Sequence, residues 1–153
     1  MENTFVFNPD HVLDVFNAIV ADRENSKLAL KAPSEVFEKF GLTVSDAKLV
    51  DTSFYEVFPN VKAHFLASAS GKPNQEAVLG CSSPKCIACK SGLYVTAAAP
   101  IALALAGFPE DEAAIVALGT LIGLAPGAVI AALTNCKGIP EAVTNLCVAL
   151  GAC

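Results

Sequence analysis

Apolar residues recur at spacings of three and four along the front of this chain, and polar ones then become scarce over most of its back. Val12, Val15, Phe16, Ile19 and Val20 form one stripe, behind Asn8 as a cap, Pro9 at a first helical position and Asp10 near the positive end of the dipole. This spacing predicts an amphipathic helix. A second helical stretch is predicted over about 24–40, restarted or kinked at Pro33, with Val36, Phe37 and Phe40 on its apolar face and Gly41 as its stop. Positions 42–44, 48–50, 54–58 and 61–66 read as short extended segments. Residues 1–66 are therefore expected to be a small α+β unit, two helices and then short strands.

The back of the chain has a different pattern. Positions 113–136 are 24 consecutive residues without a charge, opened by Pro109-Glu110-Asp111-Glu112 and closed by Lys137-Gly138. Such a run reaches the length of a membrane-spanning helix of about 20 residues, but Pro126-Gly127 in its middle splits it into helices near 110–124 and 127–135. Gly119, Gly123 and Gly127 recur at every fourth position, which puts small residues on one face for helix packing or membrane contact. Positions 93–108 supply an earlier apolar segment interrupted at Pro100, and Pro140 opens a last helix through Val143, Leu146, Cys147 and Leu150. Residues 81–153 are thus expected to be an all-α, cysteine-rich, compact helical bundle.

Charge and sulfur draw the same boundary. Residues 1–80 hold seven basic and eleven acidic side chains, a net of −4, whereas residues 81–153 hold three and four, a net of −1. All six cysteines, Cys81, Cys86, Cys89, Cys136, Cys147 and Cys153, lie in the second part. Between the two, Ser68-Ala69-Ser70-Gly71-Lys72-Pro73-Asn74-Gln75 has the small, polar composition of an exposed linker, so 67–80 is expected to carry a cleavage site, at Gly80-Cys81 or nearer Ala67-Ser68-Ala69. Val78-Leu79-Gly80-Cys81 has the form of a lipid-attachment box, but such a box follows an N-terminal signal, and Met1-Glu2-Asn3-Thr4 has no basic start. Synthesis in the cytoplasm and secretion of the mature C-terminal part is the expectation. A net charge of −5 with no basic cluster excludes nucleic acid as a partner.

The six thiols admit several chemistries, and their pairing is not readable from sequence. Disulfides joining the two ends of the segment restrict the unfolded chain most. Cys81, Cys86 and Cys89 as zinc ligands lack a second Cys-x-x-Cys or a histidine in the segment, since His11 and His64 both lie in the front half. Crosslinks to dehydrated Ser82, Ser83, Ser91, Thr96, Thr120, Thr134 or Thr144 are a third use, and thiolate catalysis at Cys86 and Cys89 a fourth. No catalytic triad spacing, phosphate-cradling loop or histidine pair occurs, so neither an enzyme, a metal nor a cofactor is expected.

Ala21-Asp22-Arg23, 28–33, Val36, Phe37, Phe40-Gly41-Leu42 and Lys48-Leu49-Val50-Asp51-Thr52 together resemble the nitrile-hydratase-like leader peptides of ribosomal natural-product precursors, over about positions 9–66. Asn25 departs from that pattern, as does the absence of a proline after Val44, and the hydratase metal-binding cysteine run is missing. The resemblance implies a non-catalytic leader. The layout of Cys86-x-x-Cys89 and terminal Cys147-x5-Cys153 is similar, in spacing only, to saposin-like peptides and halocin-type bacteriocins. Together these imply the precursor of a secreted, membrane-active, bacteriocin-like peptide: residues 1–66 would engage a maturation enzyme and an exporter, and residues 91–135 a target membrane. The alternative is an uncleaved helical protein that binds lipid or a partner without toxicity.

Overall fold

The computed structural model describes residues 7–71, 84–108 and 110–153. Among them every regular element is a helix, nine in all: α1 (Pro9–Val20), α2 (Arg23–Lys31), α3 (Pro33–Lys39), α4 (Ala47–Val57), α5 (Pro59–Ala69), α6 (Pro84–Ala106), α7 (Glu112–Ile122), α8 (Pro126–Leu133) and α9 (Ile139–Ala149). Side-chain oxygens mark several starts. Asn8 accepts from the Asp10 N–H at 2.9 Å, Asp22 from Glu24 at 2.8 Å, Asp46 from Leu49 at 3.1 Å and Asp111 from Ala114 at 3.1 Å. Pro9, Pro33, Pro59 and Pro126 begin helices, where a missing N–H leaves no bond unmade.

The expected strands of the front half are not there. Positions 42–44 are irregular, 48–50 and 54–57 belong to α4, Phe58 caps it, and 61–66 belong to α5. The physical reason is the burial period. Val50 and Phe54 are buried four residues apart on α4, and Val61 and Phe65 four apart on α5, with His64 and Ser68 completing the same face. In windows this short, helical positions i, i+3 and i+4 imitate alternation, and Pro59 between two apolar runs looks like a strand boundary. The α+β expectation is thereby corrected to all-α, while the helical bundle of the back half is present.

Within that back half the 113–136 run is divided, as α7 and α8 bent by 105°. The helix over 93–106 is not broken at Pro100: α6 runs through it for 23 residues. Carbonyl and amide groups beside the proline find a partner outside the helix, in Ser45.

The two halves share one interior. α6 packs against α1, α3 and α4 on one side and against α7 and α9 on the other. Val12, Phe54 and Phe65 of the front and Leu93, Ile101, Leu118 and Leu146 of the back belong to one continuous buried cluster. Phe54 and Phe58 meet the Tyr94 ring at centroid distances of 6.3 and 5.6 Å. The Phe7 N–H donates to the Leu121 carbonyl at 2.9 Å, so the start of the described chain also reaches α7.

Candidate functional site

Two disulfides frame the C-terminal half. Cys86 and Cys89, one turn apart at the start of α6, pair with Cys153 and Cys147 at the chain's end, with Cα separations of 4.7 and 6.1 Å. They span 67 and 58 residues, and each such crosslink contributes about 2–4 kcal/mol by restricting the unfolded chain. The two bridges differ in access. Cys89 and Cys147 are fully buried, whereas Cys86 is half-buried and Cys153 exposed.

The fifth described cysteine, Cys136, is a half-buried free thiol whose Sγ donates to the Ala132 carbonyl at 3.1 Å and accepts from Asn145 Nδ2 at 3.3 Å. Burial pushes this thiol above its ordinary range, with the Asn145 hydrogen bond acting against that and the Glu141 charge adding to it. Cys81, Gly80, Ser82 and Ser83, and with them the expected cleavage point, lie outside the described residues. Of the other hydroxyls, those of Ser91, Thr120, Thr134 and Thr144 each donate to a carbonyl four residues back in their own helices. Thr96 is buried, and its hydroxyl has no partner among the described residues.

The three spaced glycines have unlike surroundings. A Cβ on Gly119 would sit 2.5 Å from the Leu124 carbonyl oxygen, and Gly123 ends α7 with φ +79°, so these two make the reversal into α8. A Cβ on Gly127, in the first turn of α8, would meet nothing within 4 Å.

Over this frame lies the front half, seated on α6 by contacts that sequence reasoning missed. A Cβ on Gly92 would lie 2.4 Å from Val12 Cγ1, so only glycine admits α1 this close. Ser45, between α3 and α4, bonds the α6 backbone, and the Ser53 and Tyr94 hydroxyls are hydrogen-bonded to each other. A lysine at the rim, Lys85, meets Asp10 at 3.2 Å across solvent-exposed surface, a pair worth little on its own. An isolated glycine inside an apolar helical run was the one available signal for such an approach.

The front half is itself tied by polar threads. Ser26 Oγ donates to the Ile19 carbonyl and to Ser68 Oγ, each at 2.9 Å, and Asp51 of α4 accepts from both the N–H and the hydroxyl of Ser34 at 2.9 Å, tying α4 to the first turn of α3. Tyr55 donates to the Ala29 carbonyl, and burial, helped by Asp51, pushes its hydroxyl far above the ordinary range. The leader-like positions Asp22, Gly41 and Asp51 thus have structural roles: Asp22 caps α2, Gly41, at φ +93°, sits in the turn after α3, and Asp51 ties α4 to α3.

Exposed large apolar side chains concentrate on the back half. Among the described residues Leu103, Val116, Ile130 and Val148 are 66, 48, 41 and 54 % exposed, against Leu66 in the front. The chain matches no known protein family, no curated protein and no solved structure.

Proposed function

We propose that this chain is the precursor of a secreted, membrane-active helical peptide, in which residues 7–71 cover one face of α6 until the two halves part. The observation that carries this reading is the separation of covalent from non-covalent ties. Residues 1–80 contain no cysteine, and the two disulfides join α6 to the C-terminal end. A cut between the halves therefore leaves residues 84–153 crosslinked to themselves while α1, α3 and α4 are held on α6 by non-covalent contacts.

The shared interior adds a requirement. Proteolysis by itself frees nothing, because the apolar face under α1 and α4 is stabilised by burial at about 25 cal/mol per Å² and reopens only where something else takes up that surface. A bilayer is such an acceptor. α6 over Lys85–Ala106 is long and apolar enough to cross one by length and composition, a property it shares with the buried helices of many soluble proteins. In this reading residues 1–66 serve a maturation enzyme and an exporter, and Leu103, Val116 and Ile130, already exposed, make first contact with the membrane.

A second reading is favoured by the continuity of the core: an uncleaved helical protein that binds lipid or a partner through the back half's apolar surface. Intact mass of the native product, before and after reduction, separates the two. A secreted species comprising the cysteine-bearing half, heavier by two hydrogens per bridge after reduction, supports the precursor. A full-length native product retaining both halves overturns it in favour of the second reading.

A further inference from the structure

Pro100 weakens the middle of α6. It has no N–H for the Thr96 carbonyl, and its ring crowds that same carbonyl, so the ladder lacks one bond next to the Val95–Ala99 step. Ser45 occupies this place from outside. Its N–H donates to the Val95 carbonyl at 3.1 Å, and its Oγ accepts from the Ala99 N–H at 3.3 Å. Val95 carbonyl and Ala99 N–H are the two members of a single i to i+4 pair, so one residue of the front half answers both ends of one helical bond. Ser45 and Ala99 are half-buried, and Thr96 beside them is 1 % exposed, with no partner for its hydroxyl among the described residues. The position of Ser45 is fixed from its own side too, because the next residue, Asp46, caps α4 through the Leu49 N–H.

We propose that Ser45 is the latch by which the front half recognises α6: a serine N–H and hydroxyl inserted at a proline-weakened helical step. Apolar packing holds the halves together but is indifferent to small slips along the helix. The Ser45 pair is directional and sets where the cover sits. When the front half leaves, the Val95 carbonyl and the Ala99 N–H have only each other to answer them. Only the release of the front half rests on the proposed function; the latch itself is a property of the intact chain, and its test is independent of membrane activity.

Residue-resolved amide exchange on the full, oxidised chain provides that test. Ser45→Ala removes the Oγ acceptor and is expected to speed exchange of the Ala99 amide at least tenfold while amides of α1 and α9 keep their rates. Ser45→Thr, which retains the oxygen, restores protection. Adding Pro100→Ala to Ser45→Ala returns an N–H to the Thr96 carbonyl and relieves its crowding, and is expected to recover part of that protection as the Ala99 N–H closes on the Val95 carbonyl in an uninterrupted ladder. An unchanged Ala99 rate in Ser45→Ala overturns the latch, and so does acceleration spread evenly over all helices. Loss of Ala99 protection without dye release from anionic vesicles by any cut form leaves the latch standing and removes the membrane reading.

Discussion

Replacing Gly92 by alanine tests the seating of the front half through the sign of its effect. In an open helix this change stabilises, by about 0.5–1 kcal/mol, because alanine loses less backbone freedom than glycine. At the α1–α6 contact it meets Val12: the new Cβ lies 2.4 Å from Cγ1, 2.7 Å from Cγ2 and 3.1 Å from Cβ of a fully buried side chain. Carbon atoms rest at about 3.5–4.0 Å, so α1 must withdraw by roughly 1 Å along its length or Val12 must leave its rotamer. Overpacking of this kind costs about 1–3 kcal/mol. With two Cγ atoms in conflict the upper part of that range applies, and the net expectation is destabilisation by about 1–2 kcal/mol. Urea unfolding of the oxidised full chain, followed by far-ultraviolet circular dichroism, measures it as a lowered midpoint at unchanged slope. Val12→Ala removes both Cγ atoms, so the double variant should be more stable than the sum of the single losses, a coupling of about 1 kcal/mol or more. A Gly92→Ala protein more stable than the parent refutes the packing of α1 on α6 and, with it, the cover.

The same geometry sets three further expectations. His64 is 2 % exposed, stacked on Phe16 at 5.3 Å with its Nδ1 unpartnered, and burial lowers its pKa from the ordinary 6.5. The folded chain thus binds the proton less readily than the unfolded one, so stability should be full above about pH 6.5 and decline as pH falls through and below it; His64→Phe should flatten that part of the stability–pH profile. Graded reduction with peptide mapping should open the exposed Cys86–Cys153 bridge before the buried Cys89–Cys147 bridge, and simultaneous opening would contradict the described burial. Cys136, raised by burial, should alkylate more slowly at neutral pH than an unhindered thiol; labelling at the rate of a free peptide thiol would count against its placement under Asn145.

The change of composition along the chain was visible in its letters, but the packing of its two parts on each other was not. Charge and sulfur change near position 80 because a disulfide-framed apolar half and an acidic, aromatic half are chemically different, and composition reports chemistry. That Phe54 and Phe58 point at Tyr94 is a tertiary fact with no local mark, and it turns a trailing tail into a shared core. Helix starts at Asn8, Pro33 and Pro126 were legible because caps and prolines act through neighbouring backbone. The α4 and α5 helices were not, since their buried faces repeat over only a few turns on either side of Pro59. Pro100 misled in the other direction: α6 runs through it, and Ser45, 55 positions earlier in the chain, bonds the Val95 carbonyl and the Ala99 N–H just before it. The end-to-end cysteine pairing agrees with the loop-closure argument, but geometry was needed to select it among the alternatives.

Dye release from anionic lipid vesicles, by the oxidised full chain and by the same chain cut at an engineered protease site within 72–83, tests whether the front half masks a membrane-active back half. The uncut protein should be silent, and the cut protein should permeabilise the vesicles as its front half is displaced into solution. Equal release by both forms, or none from the cut form even after the halves have been separated, contradicts this masking.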